Sequence, residues 1–170
     1  MEQLATHLRT KKGASGVLVI HSAPSALRPH IEWAVQNIIG GAVHLVWKNQ
    51  PHCAGTLRTT LTYRDRLGVA AKLASALQAW HYLRFEITEN DSDRGELFRY
   101  IPELGIHRAI IDSAGSVLAD ENRIRQALTT TFDEESLREK IENILGTPWD
   151  GALEIYRGVE LQEIARLRAI

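Results

Sequence analysis

The hydrophobic and polar positions of the chain change period several times between residues 16 and 90. A continuous apolar run, GVLVI at residues 16–20, is bounded by glycine and by His21-Ser22, and its β-branched content predicts a strand buried on both faces. Apolar residues then recur at helical spacing until Gly40-Gly41, which predicts an amphipathic helix. Pro29 is tolerated only in the first turn, so we expect the regular helix to begin near Arg28.

Alternation with period two predicts three more strands, at residues 42–48, 56–64 and 83–88. An alanine-rich segment at residues 65–80 has helical spacing and separates the last two of them. The order is therefore strand, helix, strand, strand, helix, strand. This order predicts an α+β fold with a ferredoxin-like β-α-β-β-α-β sandwich core and both helices on one side of the sheet.

The second half of the chain predicts a C-terminal β-hairpin and a helical extension. Residues 97–101 and 106–111 have strand patterns, and Asp120 and Asp133 stand where N-caps of two helices are expected. Residues 159–170 fit either a helix or an edge strand. We therefore divide the chain into a flexible or helical N-terminal arm (1–15), a ferredoxin-like core (16–90) and an extension packed on the core (91–170), which together form one unit.

Composition excludes several classes of function. The formal net charge is -1, so the whole-molecule field gives little attraction to nucleic acid or to an anionic membrane. No segment approaches the roughly 20 apolar residues of a membrane span, and the first twelve residues lack the apolar run of a signal peptide. The single cysteine, Cys53, excludes an intrachain disulfide. We expect a cytoplasmic protein without a membrane partner.

Five segments carry a resemblance to a known family: GVLVIHSAP at 16–24, PHIEW at 29–33, WH and LRFEIT within 80–88, LGIH at 104–107, and LGTPWD at 145–150. The chain resembles the actinobacterial family catalogued as domain of unknown function 3145. The resemblance spans nearly the whole chain and matches least well after Arg157. It implies a cytoplasmic actinobacterial protein, and it implies no activity, cofactor or catalytic residue.

The turn from the first strand into the first helix is the candidate binding site. His21, Ser22 and Ser25 surround a predicted helix N-terminus, and His30 lies about one turn further along. Free N–H groups and the positive end of the helix dipole favour an anion, so we expect a small anionic metabolite here. The alternative is structural: a serine caps the helix and His21 hydrogen-bonds to a loop.

The spacing of the histidine, cysteine and acidic residues favours neither a catalytic site nor a metal site. His30 and Glu32 stand two residues apart on a helix and do not share a face, so we assign no catalytic residue. His44, His52 and Cys53 form the nearest histidine and cysteine cluster, but their spacing does not match a zinc site, so we predict no metal and no cofactor.

Outward-facing residues of the predicted strands form a polar surface on the side opposite the two helices. RNA-binding sheets of this strand order expose stacked aromatic residues, but Trp47, Tyr63 and Phe85 share the inward parity here, so nucleic-acid binding is disfavoured. We expect the extension to fold back over this surface and bury its own apolar stripes. The polar residues in question are His44, Lys48, Arg58, Thr60, Thr62, Arg64, Arg84 and Glu86.

Three functions remain open, in this order. The first is a non-catalytic small-ligand-binding or regulatory module, of a fold type that often pairs into homodimers. The second is a protein-interaction or scaffold protein that acts through an apolar patch or a sheet edge without a small ligand. The third is an enzyme of unrecognised mechanism, which would need a cleft lined by at least two titratable side chains.

Overall fold

A seven-stranded antiparallel sheet with the order β2-β3-β1-β4-β5-β6-β7 lies between two layers of helices. The computed structural model describes residues 13–41, 43–91 and 93–168, and the side chains through Val159. The strands in these ranges are β1 (Gly13–Pro24), β2 (Lys48–Asn49), β3 (Thr56–Arg66), β4 (Arg84–Asn90), β5 (Gly95–Ile101), β6 (Gly105–Ile111) and β7 (Val117–Leu118). A single 3-10 turn, Ser25–Leu27, precedes the first of the helices, which are α1 (Arg28–Ile39), α2 (Val69–Leu77), α3 (Glu121–Thr130), α4 (Glu134–Leu145) and α5 (Thr147–Arg168).

The main core fills the space between one face of the sheet and helices α1 and α2. Its central row crosses three strands, because Leu18 pairs with Ile87 and Ile87 pairs with Phe98. All three side chains are buried. Ile31 and Leu73 close this core from the helices and are fully buried. The inward parity predicted for Tyr63 and Phe85 is confirmed.

The opposite face of the sheet, which we call the outer face, is partly covered by the end of the chain. Helix α5 packs against β5 and β1, and Leu153 of α5 is fully buried. Helix α4 reaches the same face, where the backbone carbonyl of Ile144 contacts the ring of His107. The extension therefore lies over β1 and β5 on this face, whereas Lys48, Thr60, Thr62 and Arg64 of the predicted polar surface remain exposed.

The sheet is larger than the expected four-stranded sandwich. The predicted hairpin is present as β5 and β6, but it does not form a separate layer: β5 pairs with β4, so the hairpin continues the main sheet. The fold is therefore a mixed α+β fold with a seven-stranded antiparallel sheet, and it is not a simple ferredoxin-like sandwich. Residues 13–15 belong to β1, and residues 1–12 of the expected N-terminal arm lie outside the described residues.

The prediction of a strand at residues 42–48 was wrong for most of its length, because only Lys48–Asn49 pairs with β3. Side chains replace the ladder in the preceding segment. Gln36 donates to the carbonyl of Val43 at 3.0 Å, and Thr59 donates to the carbonyl of Val46 at 2.8 Å. These bonds satisfy carbonyl groups that a strand partner would otherwise satisfy.

Helix α2 is shorter than the predicted segment at residues 65–80, because β3 continues to Arg66 and the helix begins only after Gly68. Gly68 has a left-handed φ of 93° and no side-chain cap. A buried carboxylate from the sheet takes over that role: Glu89 accepts the N–H groups of Gly68 and Ala70, the latter at 2.9 Å. A negative charge at a helix N-terminus is stabilising, so this contact fixes where α2 starts.

The remaining boundaries follow local capping chemistry. Asp120 accepts the N–H of Asn122, and Asp133 accepts the N–H of Ser136, so both predicted N-caps are confirmed. The C-terminal stretch is helical through Arg168, which decides between the helix and edge strand expected there. Within the part of the chain that the structure describes, no helix is both long enough and apolar enough to cross a bilayer.

Candidate functional site

A row of side chains crosses the outer face in direct cross-strand register. Thr60 pairs with Val19, Val19 with Glu86, Glu86 with Arg99, and Arg99 with His107. Residues that oppose one another in an antiparallel sheet point to the same face, so these five side chains form one line from β3 to β6. Helix α5 lies over this line, and the site is built where it meets the sheet.

Strand alternation places His21 on the same face as Val19, next to a β-bulge. The pairing of β1 shifts by one residue after Ile20 against both of its neighbours, β3 and β4. His21 is only 5% exposed, and its Nε2 donates to Oε2 of Glu86 at 2.7 Å. The buried side chain of Gln50 fixes the bulge by donating to the backbone carbonyl of His21 at 2.7 Å.

Glu86 is the centre of a charge network that joins the sheet to α5. Arg99 donates to its Oε1 at 3.0 Å, and Arg157 donates to both of its oxygens, at 2.9 and 2.5 Å. Asp150, at the start of α5, bridges the two guanidinium groups at 2.7 Å from Arg99 and 2.9 Å from Arg157. Glu154 adds a bond to Arg157 at 3.0 Å.

The network shifts the protonation of its members. Burial by itself would raise the pKa of Glu86, but the hydrogen bonds and charges of His21 and Arg157 outweigh burial and hold the pKa well below its usual value of 4.5. Burial likewise opposes the charge on Arg157, but Glu86 and Asp150 raise its pKa further. Both groups are therefore charged at neutral pH.

A cavity of about 510 Å³ opens beside this network, between the outer face of β1 and β3 and the helix α5. Its polar wall includes cations, hydroxyl groups and one carboxylate, and its apolar wall includes valines and an aromatic ring. The lining residues are Val19, Ile20, His21, Val46, Lys48, Arg58, Thr59, Thr60, Glu86, Tyr156 and Arg157. The structure therefore has a cleft lined by titratable side chains, which an enzyme would require. The hypothesis that the protein is an enzyme of unrecognised mechanism stays open.

The chain was compared with protein families, curated proteins and solved structures. The model of a family described as "Protein of unknown function (DUF3145)" matches residues 17–168. The chain belongs to this family. No curated protein and no solved structure matches it.

Segments that carry the resemblance to the DUF3145 family meet on the outer face. The segment at 16–24 supplies His21, and the segment at 83–88 supplies Glu86. Gly146 lies against the ring of His107, and Trp149 donates to the carbonyl of Gly105 at 2.9 Å, so the segments at 104–107 and 145–150 contact each other directly. Only the segment at 29–33 supplies none of these contacts.

The four residues expected to bind a ligand are separated in the structure. His21 lines the cavity. Ser22 is buried with its hydroxyl unpaired, and Ser25 lines a different cavity with the loop around Gln50. His30 is exposed on α1. No serine side chain caps α1. Of the predicted set, therefore, only His21 lines the cavity beside α5.

The other residues that were considered for catalysis or metal binding do not form a common site. Glu32 accepts the indole N–H of Trp47 at 2.8 Å and the guanidinium N–H of Arg28 at 3.1 Å. It therefore links α1 to the segment before β2. Trp33 of α1 is 69% exposed. Among the described residues, no group of three or more His, Cys, Asp or Glu could hold a metal ion.

Several residues that line the cavity were not part of the ligand site predicted from the sequence. Tyr156 and Arg157 come from α5, and no local pattern links them to β1. Lys48, Arg58 and Thr60 were placed on the outer face by their parity, and that signal was sufficient to assign the surface. The parity of strand residues thus located one wall of the cavity, and the other wall depends on where α5 docks.

Proposed function

We propose that this protein is a non-catalytic small-ligand-binding module whose ligand occupies the cavity between the outer face and α5. The cavity itself is the observation that carries the proposal: about 510 Å³ lies within the usual range of ligand pockets, about 300–1,000 Å³. It also combines apolar walls with a few polar groups, as such pockets do. The proposal keeps His21 from the predicted site and moves the ligand from the helix N-terminus to the outer face.

The environment of Glu86 supports binding over catalysis. A histidine with a carboxylate partner is the usual arrangement for proton transfer. Here both oxygens of Glu86 also accept bonds from permanent cations, Arg99 and Arg157. These contacts lower the pKa of Glu86, so its carboxylate is a poor proton acceptor. We therefore assign Glu86 the role of fixing α5 and His21 to the sheet.

We further infer that β1 to β4 with α1 and α2 are a ferredoxin-like unit to which three strands were added. The order β2-β3-β1-β4, with antiparallel pairing throughout, supports this inference. The added strands widen the sheet, and α5 packs on the widened outer face.

A cavity-filling substitution tests the proposed function. Thr60 and Thr62 are both exposed on the same face of β3, but only Thr60 lines the cavity. We expect at least one class of small organic acids, amines or neutral aromatic compounds to raise the melting temperature of the natural protein, because a ligand that binds only the folded state stabilises it. Thr60→Trp should abolish this increase, and Thr62→Trp should retain it.

Differential scanning fluorimetry of the three proteins with the same compounds provides the measurement. The circular dichroism spectrum of each variant without ligand shows whether the fold is intact. If the folded Thr60→Trp variant responds to the compounds as the natural protein does, the cavity is not their binding site and the proposal is wrong.

A further inference from the structure

We propose that His107 is a pH-sensitive switch: when its buried ring takes up a proton in mildly acidic solution, the α4–α5 junction (residues 144–150) is released from the sheet. This inference goes beyond the proposed function, because it concerns how the start of α5 is attached and requires no ligand. Three features carry it. The ring lies directly under the junction, one of its nitrogens is buried without a hydrogen-bond partner, and guanidinium groups near it oppose a further positive charge.

The junction packs directly against the imidazole ring. A Cβ atom on Gly146 would lie 2.5 Å from the ring, so the backbone itself is in contact with it. The ring centre of Trp149, in the first turn of α5, lies 4.9 Å from the ring centre of His107. Trp149 also donates its indole N–H to the carbonyl of Gly105 at 2.9 Å. A change in the charge of the ring therefore acts on both ends of the junction.

The surroundings of the ring match its neutral form. Nε2 lies 3.2 Å from the carbonyl of Ile144, near the end of α4. Nδ1 is buried and has no hydrogen-bond partner. A neutral ring that donates from Nε2 needs no donor at Nδ1, whereas a protonated ring carries an N–H group on both nitrogens. Proton uptake therefore places an unpaired N–H group and a positive charge in a buried position, and both are unfavourable there.

The charged groups on the surrounding elements also oppose protonation. Arg99 on β5 is the cross-strand partner of His107 and points to the same face, and Arg123 on α3 adds a second positive charge. Asp150 on α5 offsets them only in part, because it is 48% exposed and bonds to Arg99 at 2.7 Å. Burial, with the two arginines, outweighs two backbone carbonyls of α4 that favour the protonated ring, and the pKa of His107 lies below its usual value of 6.5.

The direction of the pH effect follows from this difference. In the released state the ring is solvated and its pKa returns to about 6.5, so the released state takes up the proton more readily than the attached state. Release is therefore favoured progressively as the pH falls below about 6.5. The pKa of Glu86 is lowered as well, but a carboxylate of this kind contributes only below about pH 4.5. The two effects therefore occur in separate pH ranges.

The main core does not depend on the junction. Among the described residues, its buried cluster includes side chains from the strands and from α1 and α2, and none from α4 or α5. Regions that share few buried contacts with the core can open without global unfolding. We therefore expect mild acid to loosen the start of α5, the helix that supplies Tyr156 and Arg157 to the cavity, while the rest of the sheet stays folded.

Hydrogen exchange of two indole N–H groups in the full-length protein tests the switch. The indole of Trp149 reports on the junction, and the indole of Trp47 donates to Glu32 at 2.8 Å, a carboxylate that stays ionised between pH 5.5 and 7.5. The ratio of the two exchange rates, measured by NMR, removes the direct effect of pH on exchange. We expect the ratio for Trp149 over Trp47 to rise by about threefold to tenfold from pH 7.5 to pH 5.5.

Two histidine substitutions assign the effect to one ring. His107→Gln removes the titrating group and keeps an amide that can donate to the carbonyl of Ile144, so the ratio should be the same at both pH values. His30→Gln removes an exposed histidine from α1 and should retain the full rise. The natural protein alone already tests the proposal, whether or not His107→Gln folds.

A ratio that stays constant in the natural protein would contradict the switch. A rise that persists in a folded His107→Gln variant, or one that disappears in His30→Gln, would contradict it equally. A rise in the natural protein and in His30→Gln, together with its absence in His107→Gln, supports the proposal. None of these measurements includes a ligand, so their outcome is independent of the fluorimetry that tests the proposed function.

Discussion

Gly146, which joins α4 to α5, lies directly against the ring of His107 on β6. A Cβ atom on Gly146 would lie 2.5 Å from the imidazole ring, and Gly146 has a left-handed φ of 77°. The ring is buried, and its Nε2 contacts the carbonyl of Ile144 at 3.2 Å. Burial lowers the pKa of His107, which favours a neutral ring that donates from Nε2. Glycine at 146 therefore does two things at once: it ends α4 and leaves room for the histidine.

Two alanine substitutions distinguish these two roles. Gly115 also has a positive φ, 86°, but nothing lies within 4 Å of its Cβ position. Gly115→Ala should cost about 1 kcal/mol in the free energy of unfolding, from backbone strain alone. Gly146→Ala should cost about 1–3 kcal/mol more, because it also forces atoms into the ring. Urea denaturation measures both, and equal costs would show that the contact with His107 is unimportant.

At the scale of elements, Glu86 is the main polar connection between α5 and the sheet. Its side chain is 14% exposed, and replacement by glutamine leaves Arg99 and Arg157 to share only Asp150, a carboxylate that is 48% exposed. Removing one partner of a buried ion pair is strongly destabilising. We expect Glu86→Gln to lower the free energy of unfolding by about 3 kcal/mol at neutral pH.

The same substitution predicts a pH dependence. The pKa of Glu86 is lowered in the folded protein, so the unfolded chain binds the proton more readily, and the stabilisation is complete above about pH 4.5. As the pH falls below this value, the stabilisation is lost. The difference in unfolding free energy between the natural protein and Glu86→Gln should therefore shrink with acidification, as measured by urea denaturation.

A matched control comes from the same network. Glu154 also bonds to Arg157 but is 70% exposed, so Glu154→Gln should change the stability by no more than about 0.5 kcal/mol. A Glu86→Gln variant as stable as Glu154→Gln, or a difference that stays constant below pH 4.5, would contradict the role assigned to Glu86.

The elements also show what local patterns can predict. The caps at Asp120 and Asp133 and the start of α1 at Arg28 depend on residues within one turn, and all three were confirmed. The start of α2 depends on Glu89, which lies 19 residues beyond Ala70, and no local signal indicates it. The segment before β2 alternates like a strand, but contacts from Gln36 and Thr59 determine its path.

At the scale of the whole molecule, the cavity exists because α5 docks on the outer face. Parity along β3 and β4 predicted the polar surface, and the apolar stripes of the extension predicted that it would be covered. The complete site could not be predicted from the sequence, because its second wall contains Tyr156 and Arg157. These residues lie 70 or more positions from Glu86 along the chain. The position of that wall is set by long-range contacts, the network at Glu86 and the packing of Trp149 against His107.

Mapping where 8-anilinonaphthalene-1-sulfonate binds tests the central claim most directly. In a ¹H–¹⁵N correlation experiment on the labelled protein, we predict that the dye shifts the backbone amides of Val19, His21, Thr60, Tyr156 and Arg157, and that these shifts vanish in Thr60→Trp. Shifts confined to another apolar surface, such as the α3–α4 connection where Phe132 is 98% exposed, would contradict a ligand site under α5.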